Sequence, residues 1–143
     1  MTKTLKITGI LFAAFLIFGT ACNKYEDGPK LSLRTKKARM VNTWELTEYI
    51  DGDTDISANT SGTTIMLTKD GDFEVGGETK NGTVQKLVGT WEFSDDKTKL
   101  ILSYDGVTIP TKWTITRLKN DELWLKREQA NGTNASQKFK GLD

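Results

Sequence analysis

The sequence predicts an all-β fold: an eight-stranded up-and-down antiparallel barrel preceded by a short N-terminal helix. Three observations carry that expectation. From about residue 43 onward, apolar and polar residues alternate with the period of two that marks a strand with one dry face. Turn dipeptides interrupt the alternation at short intervals, at Asp70-Gly71, Asn81-Gly82, Asp105-Gly106 and Asn131-Gly132, with Asp95-Asp96 and Asn120-Asp121 in the same role. One apolar face repeated on consecutive hairpin-linked strands is buried without leaving edges when the sheet closes on itself. An open sandwich of the same strands is the competing arrangement.

Composition narrows the function. The chain has 143 residues, which suits one folded domain, with 20 basic and 19 acidic side chains and a formal net charge of +1. It contains no His, so the commonest general base, a Ser-His-Asp triad and His-ligated metal sites are all excluded. Its single Cys, Cys22, excludes an intrachain disulfide and Cys-rich zinc sites. The basic excess of a nucleic-acid-binding surface is missing. No enzymatic activity, cofactor, metal or nucleic-acid partner is therefore expected.

The first element is an address rather than structure. Lys3 and Lys6 precede the apolar run Ile7 to Phe18, then come Gly19, Thr20, Ala21 and Cys22. A basic start, a short apolar run and a small-residue cleavage site make a secretory signal over residues 1–21. The run is shorter than the roughly 20 residues needed to span a bilayer. With the Cys directly after the small residues, the segment resembles the bacterial lipoprotein signal, which implies that Cys22 is acylated and becomes the mature N-terminus. The expected location is the outer membrane, lipid-anchored, facing the periplasm or the exterior. Removing residues 1–21 takes away two of the 20 basic residues and none of the 19 acidic ones, leaving a net charge of −1. Residues 22–30, ending in the polar stretch Asn23 to Lys30, form a tether. Its Glu26-Asp27 pair is either an ordinary solvated linker or similar to the surface-export signals of lipoproteins from the Bacteroides group.

The folded domain is expected over residues 31–143. Ser32 can cap a helix running to about Val41. Its cations Arg34, Lys36, Lys37 and Arg39 form either a solvated face or a contact to anionic head groups. Strands are then expected at about 43–50, 63–69, 72–78, 83–94, 98–104, 107–118, 121–128 and 134–140. Pro110 has no N–H to give to a ladder, so an edge or a bulge is expected there. A bulge is also expected at Gly76-Gly77.

Period two assigns to the interior Trp44, Leu46, Ile65, Leu67, Phe73, Val75, Leu87, Trp91, Phe93, Leu100, Leu102, Val107, Ile109, Trp113, Ile115, Leu123, Leu125 and Phe139. Trp124, Met66 and Ile101 fall outside. A helical turn leading into Val41-Asn42-Thr43-Trp44-Glu45-Leu46, then Lys69-Asp70-Gly71, Gly89-Thr90-Trp91-Glu92-Phe93, Trp113-Thr114-Ile115, Leu118 and Asp121-Glu122-Leu123-Trp124-Leu125 together resemble the lipocalin-like domains of small lipoproteins from the Bacteroides group. The resemblance covers about residues 31–140. It implies a barrel whose first-strand Gly-x-Trp closes the base, with Trp44 as that Trp and Asn42 standing where the motif has Gly. It also implies a basic residue of the last strand over that Trp, for which Lys138 and Lys140 are candidates.

Up-and-down topology places the turns near 70–71, 95–97 and 119–121 at the helix end, and the loops near 51–62, 79–82, 105–106 and 129–133 at the other. The aromatic residues Trp44, Trp91 and Trp113 are expected to form the barrel base. Leu46, Ile65, Val75, Leu87, Leu102, Val107, Ile109 and Leu125 are expected to line the roomier half and to touch a ligand there. The twelve-residue loop 51–62 is long for a hairpin and is either a lid or simply long.

Other clusters look chemical without completing a site. Asp51-Gly52-Asp53-Thr54-Asp55 alternates carboxylates like a calcium loop, yet Ile56 and Gly62 occupy the positions that require Gly and Glu. Asp70, Asp72, Asp95 and Asp96 are explained by turn chemistry. The expected function is thus a monomeric, lipid-anchored binder of a small apolar molecule. The alternative is a module or inhibitor contacting an envelope protein through Trp124 and the outer face, or through loop 51–62.

Overall fold

The computed structural model of the protein describes residues 33–78 and 84–143. The signal segment 1–21, Cys22, the tether, the expected cap Ser32 and the Asn81-Gly82 turn lie outside the described residues. The helix α1 spans Lys36–Met40 and is capped by Thr35, whose side-chain oxygen accepts a hydrogen bond from the Ala38 N–H at 3.1 Å. Val41 has extended backbone and turns the chain directly into the first strand.

Nine strands follow: β1 (Asn42–Asp51), β2 (Thr54–Asp55), β3 (Thr64–Leu67), β4 (Asp72–Glu78), β5 (Val84–Phe93), β6 (Lys99–Tyr104), β7 (Thr111–Leu118), β8 (Glu122–Glu128) and β9 (Asn134–Gly141). Each neighbouring pair from β3 to β9 is antiparallel, and β1 pairs with both β3 and β9. The eight long strands therefore close into a barrel with α1 at one end. The two-residue β2 folds back on the end of β1, pairing Ile50 with Asp55 and Asp51 with Thr54. The open sandwich is excluded by the β1–β9 seam, which runs from Trp44↔Gly141 to Asp51↔Ala135.

Three details differ from expectation, each for a local reason. First, β7 begins at Thr111, not at 107. Pro110 has no N–H for the ladder, so Val107 and Ile109 stay in the β6–β7 loop, 56% and 78% exposed. Second, Gly76 and Gly77 lie in an uninterrupted ladder opposite Lys86 and Gln85. Gly77 admits the close approach of Thr63, the residue before β3: a Cβ on Gly77 would sit 3.2 Å from Thr63 atoms. Third, the register shifts fall between Leu46 and Glu48 in β1 and between Ile115 and Arg117 in β7. Both change which parity faces inward.

The core is one cluster inside the barrel. Trp44, Leu67, Leu100, Ile115, Leu118 and Leu123 are fully buried, with Met40 of α1 packed over them. The Trp44 indole N–H donates to the Met40 carbonyl at 2.9 Å, and the Trp91 indole donates to the Thr68 carbonyl at the same distance. Both bonds satisfy buried polar groups at the helix end, where an unmade one would cost about 1–3 kcal/mol. Arg39, also buried, donates to the Leu118 carbonyl at 3.3 Å and ties α1 to the end of β7. The helix end is thus closed by side chains and by α1.

Candidate functional site

The strand ends opposite α1 form the other mouth. Here β1 ends at Asp51, β6 at Tyr104 and β8 at Glu128, while β3, β7 and β9 begin at Thr64, Thr111 and Asn134. The eight residues expected to line this half divide into three sets. Leu46, Ile65, Leu102 and Leu125 are buried within the core. Val75 is half-buried against it, in register with Ile65 on one side and Leu87 on the other. Leu87, 53% exposed, sits at the mouth. Val107 and Ile109 are corrected: they project from the loop between β6 and β7 and belong to no strand of the wall.

Of the three tryptophans expected at the base, Trp44 and Trp91 bond to Met40 and Thr68 at the helix end. Trp113 is in register with Leu100, one residue from the helix-end start of β6, and on its other side its ring carries the Arg127 guanidinium at 4.6 Å.

That contact introduces a polar group the apolar pattern did not announce. Leu123, Leu125 and Arg127 share one face of β8, and Arg127 is in register with Ala135, which is fully buried. Arg127 thus points into the barrel. Its Nε is buried and has no hydrogen-bond partner among the described residues. Tyr104 extends the inward series Leu100 and Leu102 on β6, its ring edge-on to Phe73 with centroids 5.0 Å apart. After the β1 bulge, Tyr49 falls in register with Gln137, which also pairs with Leu125. Burial pushes the Tyr104 hydroxyl above the ordinary tyrosine value; the positive charge of Arg127 works against that rise and Tyr49 adds to it. Tyr104 therefore stays neutral and keeps its proton for donation. The open half is an aliphatic wall with one guanidinium, two phenols and an amide set into it.

Neither Arg127 nor Tyr104 was named from the sequence, although each continues its strand's apolar parity by one step. Tyr49 was not legible, because the bulge that turns it inward has no sequence signal in the Leu46 to Tyr49 stretch.

The loop 51–62 is not an irregular flap. Gly52 takes a left-handed φ of 62° to make the β1–β2 turn, and Ser57–Asn59 forms a 3-10 turn. The Ile56 N–H donates to the Tyr49 carbonyl at 2.9 Å, and the Tyr49 N–H donates to the Ser57 hydroxyl at 2.9 Å. Asp55 accepts from both the Ser57 hydroxyl and its N–H, which hold its carboxyl below the usual range. Asp51 accepts from the Gln129 amide. Among the described residues, no group of three or more His, Cys, Asp and Glu side chains is placed to hold a metal ion.

On the outer wall, Trp124 lies between two cations, with Arg117 at 4.5 Å and Lys138 at 5.0 Å from its ring. Lys138 also pairs with Glu48 at 2.9 Å. It is therefore on the outside and does not cover Trp44. The buried cation at the closed end is Arg39, supplied by α1. The Asn42 amide explains the departure from Gly-x-Trp: it donates to the Asn120 carbonyl at 3.4 Å and accepts from the Asp143 N–H at 3.1 Å.

Comparison with known proteins agrees with this geometry. The family model for the lipocalin-like domain matches residues 40–125, more than half of the chain. A lipocalin-like protein from Bacteroides uniformis superposes with a TM-score of 0.58 at 14% identity, over 73% of this chain and 99% of that one. An uncharacterized protein from Bacteroides eggerthii gives 0.54 at 13% identity, over 71% and 98%. Lobster apocrustacyanin A1 gives 0.50 at 12% identity, over 71% of this chain and 60% of that one. No curated protein gives a significant sequence match.

Proposed function

As the chain belongs to the family of lipocalin-like domains, we propose that it is a lipid-anchored, non-enzymatic outer-membrane protein that takes a small, largely apolar molecule into the open half of its barrel. The observation that carries this reading is the asymmetry of the interior. The helix end is sealed by Trp44, Met40, Trp91 and α1, whereas Ile65, Val75 and Leu87, one rung across β3, β4 and β5, pass from buried through half-buried to exposed around the open half of the wall. A concave apolar wall with a few polar groups is what a small-molecule site requires.

Cys22 supplies the anchor, because two or more acyl chains hold a protein stably at a bilayer. The described chain enters the barrel at the closed end, where Arg34, Lys37 and Lys69 help line a shallow depression of about 440 Å³. In this reading the closed end faces the membrane, its cations near anionic head groups, and the mouth opens away from it.

Native mass spectrometry of protein purified from its own host, together with titration of a fluorescent fatty acid, tests the carrier reading. A stoichiometric adduct and saturable uptake are expected; neither adduct nor uptake rejects it. Cys22→Ser is expected to move the protein out of the membrane fraction, and its full retention there rejects the anchor.

A further inference from the structure

Four observations converge on the mouth side of the barrel. Arg127 is the inward cation, stacked at 4.6 Å on Trp113, with a buried Nε that no described residue bonds. The carboxylate on the same rung, Asp51, lies across Ala135 and is already engaged by Gln129. Tyr49 and Gln137 face each other across the β1–β9 seam, and Tyr104 stands on Phe73. The wall below them is aliphatic, with Leu102, Leu125 and Val75 buried or half-buried. A cation that is partly desolvated and lacks an anion is costly. Its stacking on an aromatic ring offsets only part of that cost.

We infer that the ligand is a monocarboxylate amphiphile, its head group bound by the Arg127 guanidinium and its apolar tail along the accessible part of the wall, Val75 and Leu87. This rests on the carrier reading and specifies its ligand. A carboxylate matches the planar fork of an arginine and accepts two parallel N–H bonds. Its single charge balances Arg127, the one cation that the described strands turn inward. A phosphate monoester brings close to two negative charges and leaves one unmatched in a partly desolvated site. The phenol hydroxyls of Tyr49 and Tyr104 can donate to the same oxygens.

The test is calorimetric titration of the full chain with decanoate, decanol and decyl phosphate, each below its aggregation concentration, repeated with Arg127→Met and Tyr104→Phe. Decanoate is expected to bind about tenfold or more tighter than decanol, as charge-assisted hydrogen bonds allow. Decyl phosphate is expected to bind more weakly than decanoate. Arg127→Met should remove the preference for the acid while leaving decanol binding in place, and retained decanol binding shows that the variant is folded. Tyr104→Phe should reduce the preference without abolishing it. Equal affinity for decanoate and decanol, or a preference that survives Arg127→Met, overturns the inference while leaving the carrier reading standing. Tighter binding of decyl phosphate overturns the carboxylate assignment. If none of the three binds, the inference and the carrier reading fail together.

Discussion

Asn42 and Asp143, 101 positions apart, are joined at the closed end of the barrel: the Asn42 side-chain oxygen accepts the Asp143 backbone N–H at 3.1 Å. The same amide donates to the Asn120 carbonyl, so one buried side chain binds the first strand, the β7–β8 turn and the C-terminal segment. Its backbone is not left-handed, since Lys97 is the only non-glycine with positive φ among the described residues. The side chain, not backbone freedom, is what this position uses.

Asn42→Gly, which restores the Gly-x-Trp pattern of the resemblance, is therefore expected to destabilise. Two part-buried hydrogen bonds are lost, worth about 1–3 kcal/mol in total. Urea unfolding should show a lowered midpoint with an unchanged slope. A midpoint equal to wild type would mean that the amide bonds contribute nothing.

The Trp44 to Met40 bond yields a second expectation. Trp44→Phe keeps an aromatic ring but removes the indole N–H that donates to the buried Met40 carbonyl. The unmade bond costs about 1–3 kcal/mol, and the smaller ring adds a cavity contribution. The loss should exceed that of Met66→Ala, an exposed outer-wall change. Thermal unfolding of the two variants side by side measures the difference.

Gly89 in the Gly89-Thr90-Trp91 stretch is constrained by space rather than by φ. A Cβ there would lie 2.0 Å from the Ser103 carbonyl oxygen and 2.8 Å from Phe73 Cε1. The oxygen belongs to the neighbouring strand β6 and cannot swing aside. Gly89→Ala is expected to cost about 3 kcal/mol through forced backbone displacement. Gly62→Ala is the control: it has open space but a φ of +79°, so only the left-handed penalty of about 1–2 kcal/mol applies. Equal losses in the two variants would remove the steric explanation.

Most of the fold was legible because hairpin turns and period two are local signals. The strand limits at Asp72–Glu78 and Glu122–Glu128 follow directly from Asp70-Gly71, Asn120-Asp121 and the alternation between them. What local signals miss is anything set by a partner strand. The β1 bulge depends on how β9 meets β1, and it alone turns Tyr49 inward. Val107 and Ile109 read as strand by alternation, yet Pro110 removes the donor that would have held them there. The candidate site was half legible for a related reason. Its aliphatic wall is an apolar pattern, whereas Arg127 breaks that pattern while keeping its parity, and an inward charge is recognised only when Trp113 is seen beneath it.

Tyr104 gives the last expectation, on pH. Its hydroxyl is raised above the ordinary value by burial, with Arg127 on β8 opposing and Tyr49 on β1 reinforcing the rise. The folded state therefore holds the Tyr104 proton after the unfolded chain has released it. The resulting stability is fully present below the unfolded tyrosine pKa of about 10 and is lost as pH rises through the folded value. Thermal melts of wild type and Tyr104→Phe between about pH 8 and 11 separate this from lysine titration, which both proteins share. Wild type should lose stability relative to Tyr104→Phe only above about pH 10, and Arg127→Met, which removes the opposing charge, should raise the Tyr104 value further, as read by phenolate absorbance. A constant gap between the two melting curves across that range would mean that Tyr104 ionises as freely in the barrel as in the unfolded chain.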